Sequence, residues 1–197
     1  LAALLMAAAP VQAQLPQNVI TECNACGAAD VHAADVDGDG NKDILSASLF
    51  DDKIAWYENN GSGSFSSQQV ITTNAKGAQS VHAADLDGDS DLDVLSASSS
   101  DDKIAWYEND GSGSFSSQNV ITTNADRATS VYAADLDGDS DLDVLSASED
   151  DGKIAWHENN GTGSFSSQNV ITTNARGAQS VYAADLDGDS DLDVLSA

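Results

Sequence analysis

A nine-residue acidic stretch, Asp35-Val36-Asp37-Gly38-Asp39-Gly40-Asn41-Lys42-Asp43, returns as DLDGDSDLD at Asp85–Asp93, Asp135–Asp143 and Asp185–Asp193. The step is 50 residues each time. A period of this length constrains the fold more than any other feature of the chain, because it is the signature of an array of supersecondary units. The stretch also carries chemistry. Acids stand at positions 1, 3, 5 and 9, and a glycine at position 4 lets the chain turn back sharply. Alternate residues of such a loop can point at one ion, and Ca²⁺ takes six to eight oxygen ligands. The candidate ligands are therefore Asp35, Asp37, Asp39 and Asp43; Asp85, Asp87, Asp89 and Asp93; Asp135, Asp137, Asp139 and Asp143; and Asp185, Asp187, Asp189 and Asp193. Position 7 (Asn41, Asp91, Asp141, Asp191) is read as supplying a backbone carbonyl, which leaves its side chain free to vary.

Charge points the same way. Of 33 acidic residues, 19 lie in these four loops, against only 7 Lys and Arg, and the net charge is -26. Nucleic-acid binding rests on basic side chains that neutralise phosphates, so this balance excludes it. It equally disfavours anionic membrane surfaces. Four Ca²⁺ would bring the charge to -18. Without metal, four or five carboxylates per loop repel one another, so folding is expected to be coupled to calcium. A hydrophobic content of 41% with regular alternation argues against disorder.

The repeats divide the chain. Residues 1–13 read as the end of a secretory signal peptide, with an apolar run and the small residues Val11 and Ala13 ahead of a cleavage point. Residues 14–30 form a partial repeat, followed by repeats at 31–80, 81–130 and 131–180 and a shortened copy at 181–197. No run approaches the length of a membrane span. The expected location is secreted or at the cell surface. Cys23 and Cys26 occur only in the partial repeat. Their spacing suits a redox motif, half a zinc site or a local disulfide, and a secreted chain favours the disulfide.

Each repeat carries four strand-like runs: VHAADL or VYAADL, DVLSAS, KIAWYEN and SFSSQNVIT. In the third, Ile104 and Trp106 are expected on one face, with Lys103, Ala105 and Tyr107 on the other. Asn-Gly or Asp-Gly pairs at Asn60, Asp110 and Asn160 mark hairpins. Four antiparallel strands per 50 residues describe an all-β chain of β-propeller blades. Blades need neighbours to cover their apolar faces. Trp56, Trp106 and Trp156, with Phe65, Phe115 and Phe165, are expected to fill the space between them. Three complete repeats do not close a ring, so the chain reads as an incomplete propeller with further blades expected in a longer protein.

Competing readings are weaker. An EF-hand wants Glu at position 12 and flanking helices, whereas position 12 is Ser46, Ser96, Ser146 and Ser196 between strands. His32 and His82 alternate with Tyr132 and Tyr182, and His157 alternates with Tyr57 and Tyr107, as aromatic packing positions do. The pairs Asp51-Asp52, Asp101-Asp102 and Asp150-Asp151 read as solvated turns. Catalysis needs one singular constellation, and nearly everything here comes in three or four copies. No enzyme activity is expected. Asn60-Gly61-Ser62 and Asn160-Gly161-Thr162 fit the glycosylation sequon.

DLDGDSDLDVLSAS, KIAWYENNGSGSF and the period together resemble the FG-GAP or VCBS-type repeat family, related to the integrin alpha-subunit propeller. The resemblance covers residues 31–197. It implies a seven-bladed propeller in the complete protein. It places calcium in the hairpin between the first two strands of each blade, held by Asp35, Asp37, Asp39, Asp43 and their counterparts. It further implies adhesion or recognition of an extracellular protein or glycan, with a non-catalytic module of a secreted polysaccharide-active enzyme as the alternative.

Overall fold

A computed structural model describes residues 27–197. Residues 1–13, expected to be the end of a signal peptide, Cys23 and Cys26, and most of the expected partial repeat lie outside the described residues. Fourteen strands follow in order. β1 (Ala28–Ala34), β2 (Asp43–Ser48), β3 (Lys53–Tyr57) and β4 (Gln69–Thr72) form the first blade. β5 (Ala78–Ala84), β6 (Asp93–Ser98), β7 (Lys103–Tyr107) and β8 (Asn119–Thr122) form the second. The third is β9 (Ala128–Ala134), β10 (Asp143–Ser148), β11 (Lys153–His157) and β12 (Asn169–Thr172). β13 (Val181–Ala184) and β14 (Asp193–Ser196) begin a fourth. Each complete sheet is antiparallel in sequential order, β1-β2-β3-β4 and so on. This is a β-propeller segment with no closed ring among the described residues.

The second strand falls where the sequence places it. The first begins earlier, at Ala78 in the second blade, and stops before the acidic loop. The fourth is shorter, Asn119–Thr122. Residues ahead of it instead fold back as a hairpin, with Asn109 bridging Phe115 and Ser116 N–H donating to the Glu108 carbonyl at 2.8 Å. Side-chain alternation in the third strand also yields to context. Ile104, Ala105, Trp106 and Tyr107 are all buried, because neighbouring blades cover both faces. Period-2 patterning is legible only when one face meets water.

The core therefore lies in the seams between blades. The first seam joins Val36, Leu45, Ile54 and Trp56 of one blade to Val81, Val94 and Tyr107 of the next. The second repeats this with Leu86, Leu95, Ile104 and Trp106 against Val131 and Val144. The predicted Trp–Phe filling is present: Trp106 meets Phe165 of the following blade edge-on, with ring centroids 6.3 Å apart.

First strands pack on one another and stack their aromatic positions into a column. His32 and His82 centroids are 4.5 Å apart, His82 and Tyr132 4.9 Å, and Tyr132 and Tyr182 4.5 Å. Burial, then the charge of His32, pushes His82 down to about 4, while Asp30 opposes the shift. A histidine depressed when folded contributes fully above its unfolded value of 6.5 and loses that contribution as pH falls toward 4. The contribution of His82 to stability is thus expected to fall between pH 6.5 and 4. His82→Tyr, copying Tyr132, is expected to flatten that slope in melts across this range. An unchanged slope would remove His82 as its source.

His157 shows the converse. Tyr57 and Tyr107 hydroxyls accept from Gln68 and Gln118 Nε2 at 2.7 and 2.8 Å. The shorter imidazole leaves its buried Nε2 without a partner. His157→Tyr is expected to gain about 1 kcal/mol from the restored hydrogen bond, read as a higher melting temperature.

Candidate metal centre

Each acidic loop spans the first and second strands of a blade and is shaped by its own carboxylates. Position 1 accepts backbone N–H groups from across the loop: Asp85 Oδ1 from Gly88 at 2.8 Å and Oδ2 from Ser90 at 3.0 Å. Asp135 and Asp185 do the same in their loops. Position 3 accepts the N–H of position 5, and position 5 accepts that of position 7, as in Asp87 from Asp89 at 3.3 Å and Asp89 from Asp91 at 2.9 Å. The turn needs left-handed backbone at position 4, where φ is 74° at Gly38 and 83° at Gly88. It needs it again at position 6, where only the first repeat has glycine (Gly40, φ 89°) and Ser90, Ser140 and Ser190 adopt φ of 78°, 81° and 78°.

Position 9 anchors the loop to the sheet. Asp43, Asp93 and Asp143 are fully buried. Their Oδ2 atoms accept the N–H of Val36, Leu86 and Leu136 at 2.9, 2.9 and 3.0 Å. Their Oδ1 atoms accept the N–H of Asn59, Asn109 and Asn159 at 2.8, 2.9 and 2.8 Å. Burial raises all three carboxyls, Asp93 to about 7, and the charges at positions 3 and 5 add to this.

Oxygen atoms converge in every copy. The groups are Asp35, Asp37 and Asp39; Asp85, Asp87 and Asp93; Asp135, Asp137 and Asp143; and Asp185, Asp187 and Asp193, all within 4.8 Å of one another inside each group. That separation suits an ion about 2.4 Å from each oxygen, the calcium range. Asp35 Oδ1 is buried and lacks any hydrogen-bond partner, as a donor aimed at a cation would. The donor set is all oxygen and fits Ca²⁺. Asp43 in the first loop and Asp89, Asp139 and Asp189 in the others stand outside these groups. So do the position-7 side chains. Asn41, Asp91 and Asp141 instead abut the hairpin glycines Gly61, Gly111 and Gly161, where an added Cβ would lie 2.8, 2.4 and 2.6 Å from them. The fourth group is exposed on all three members.

Sequence reading missed a residue that joins the loop to the next blade. Asn109 Nδ2 donates to the Val36 carbonyl in the preceding blade's loop at 2.8 Å and to the Leu92 carbonyl in its own at 3.0 Å. Asn159 repeats this with Leu86 at 2.7 Å and Leu142 at 3.0 Å. The available signal was its presence in every repeat, beside positions that vary between Tyr and His or between Asn and Asp. Asn109→Ala leaves two carbonyls without this donor and is expected to cost about 2–3 kcal/mol. Asn59, whose Nδ2 bonds only Lys42 among the described residues, is expected to cost less. Urea midpoints of the two variants make the comparison.

The acidic turns are more than solvated. Asp51, Asp101 and Asp151 pair with Lys53, Lys103 and Lys153 at 2.9, 2.7 and 2.7 Å. Asp52 and Asp102 accept the backbone N–H of Gly77 and Arg127 at 2.8 and 2.9 Å, tying the turn to the segment entering the next blade. Gly152, not Asp151, stands at the second position of this turn in the third blade, so Asp150-Asp151 is one residue out of register with the other pairs.

Among the described residues, no helix is long and apolar enough to cross a membrane. A search of curated proteins finds no match. Among solved structures, the chain is similar to an Agrocybe aegerita lectin described as specifically recognising non-reducing terminal N-acetylglucosamine. Identity is 23% and the TM-score 0.61, over 83% of this chain and 45% of that one. It is also similar to the V. cholerae biofilm matrix protein Bap1, at 22% identity and a TM-score of 0.50, over 84% of this chain and 23% of that one. At such identities the likeness is one of fold, and the chain spans less than half the length of either. A family model described as FG-GAP-like repeat matches residues 35–96, 85–146 and 135–196. With one match centred on each seam of the described fold, the chain belongs to the FG-GAP-like repeat family.

Proposed function

We propose that this chain is a calcium-stabilised, non-enzymatic recognition segment of a secreted or surface protein, with a glycan or an extracellular protein as ligand. The observation that carries the reading is the recurrence of one carboxylate cluster at the same place in each blade. In the second and third blades, the loop's position-9 aspartate and the Asn that ties it to the preceding blade are neighbours. A cation there stiffens the seam and leaves the loops of the propeller face free to meet a ligand. A catalytic metal would be singular and would sit beside groups that occur once. The fold shared with a lectin and a biofilm matrix protein supports recognition over catalysis.

The test is a glycan array together with a panel of extracellular matrix proteins, probed with the chain in calcium and in EDTA. Specific retention in calcium that weakens in EDTA is the expected result. Release of reducing sugar from a polysaccharide panel by the chain itself would overturn the non-enzymatic part of the reading. Absence of specific retention in either condition would overturn the recognition part.

A further inference from the structure

A cavity of about 260 Å³ opens at the seam between the second and third blades. Its walls include Asp85 and Leu86 from one acidic loop, Asp141 and Leu142 from the next, and Asn159 and Gly161 from the third blade's hairpin. Asp141 stands at position 7 and lies outside the loop's own oxygen group. Its carboxylate rests against Gly161.

Asn159 adds an independent observation. Its Nδ2 faces two carbonyls, Leu86 at 2.7 Å and Leu142 at 3.0 Å. Those acceptors set the amide's orientation, since the flipped form would oppose oxygen to oxygen. Its Oδ1 is then left buried with no partner. The second blade differs at this atom. There Asn109 Oδ1 accepts the N–H of Gly113 at 3.1 Å, whereas in the third blade the Gly163 N–H donates to the Leu86 carbonyl at 3.0 Å. Asn159, with this orphaned buried oxygen, lines the same cavity as Asp85 and Asp141, and a buried oxygen without a partner calls for a cation or a donor.

We propose that this seam holds a hydrated divalent cation between Asn159 Oδ1 and the Asp141 carboxylate, separate from the ion of the acidic loop. Hard cations keep waters when few protein oxygens are at hand, and the cavity has room for an ion with several of them. Both named ligands belong to the third blade, and the second blade supplies the facing wall through Asp85 and Leu86. The site is specific to the second seam, because the first has its corresponding amide oxygen already bonded to Gly113.

Calcium stoichiometry of the full chain, measured by equilibrium dialysis, tests this with Asp141→Asn and Asp91→Asn. Both variants copy Asn41 of the first loop and remove the same charge. Asp141→Asn is expected to lose one ion per chain, or to weaken one class of site by tenfold or more. Asp91→Asn is expected to retain the wild-type count. Equal stoichiometry and affinity in all three proteins overturns the proposal, as does an equal loss in both variants. Failure of the loop reading is separate. It would appear as a wild-type count of one ion or none, and a single ion that Asp141→Asn removes would still establish the seam.

Discussion

Trp106→Ala is expected to destabilise the chain by about 3–5 kcal/mol, the usual range for removing a large buried aromatic side chain. Trp106 stands in a central strand and reaches across the second seam. There it meets Phe165 edge-on at 6.3 Å, and its ring lies so close to Gly163 that a Cβ there would fall 2.4 Å from it. Truncation leaves a cavity bounded on one side by another blade, so the seam and not the strand absorbs the loss. Hydrogen exchange should accelerate in β9–β12 and less in β1–β4, since blades interact with nearest neighbours. Trp156 provides the contrast. It has the same place in its repeat but is only partly buried, and its truncation is expected to cost clearly less. Equal midpoints for wild type and Trp106→Ala in urea would contradict the seam as the seat of the core.

Chelation is the second large effect. At free calcium about tenfold above Kd, each occupied site adds roughly 1.4 kcal/mol, so the three buried-anchor loops together supply about 4 kcal/mol. For a chain of this size, EDTA is expected to lower the melting temperature by roughly 8–16 °C. An unchanged melt would end the calcium reading. The effect should depend on pH in a defined direction. Asp93 is raised to about 7 from an ordinary 3.8, first by burial. A carboxyl raised on folding favours the metal-free fold at low pH and loses that contribution as pH rises through about 7. Between pH 6.5 and 8, above the window in which His82 acts, the chelated chain should grow less stable. The calcium-loaded chain should grow more stable, because the ion replaces the proton.

Much of the site is legible in sequence because its logic is local. Asp35, Asp37 and Asp39 are separated by single residues, and the turn at Gly38 is a backbone requirement that one residue satisfies. The hairpin at Asp110-Gly111 is local in the same sense. The role of position 7 was legible only in part. Its side chain varies, as a backbone ligand allows, yet Asp91 and Asp141 are directed against Gly111 and Gly161 of a hairpin some 20 residues later.

What the sequence by itself determined was the period, the all-β blade, the second strand and the acids at positions 1 and 3 whose oxygens converge in every loop, since these follow from spacing along the chain. Tertiary structure alone decided which faces are buried, how the aromatic positions stack into a column, and that Asn109 and Asn159 fasten one blade to the loop of another. Asn109 and Val36 are 73 residues apart. No pattern inside a 50-residue unit records a contact between units, because the neighbour that supplies the partner is a copy of the unit itself.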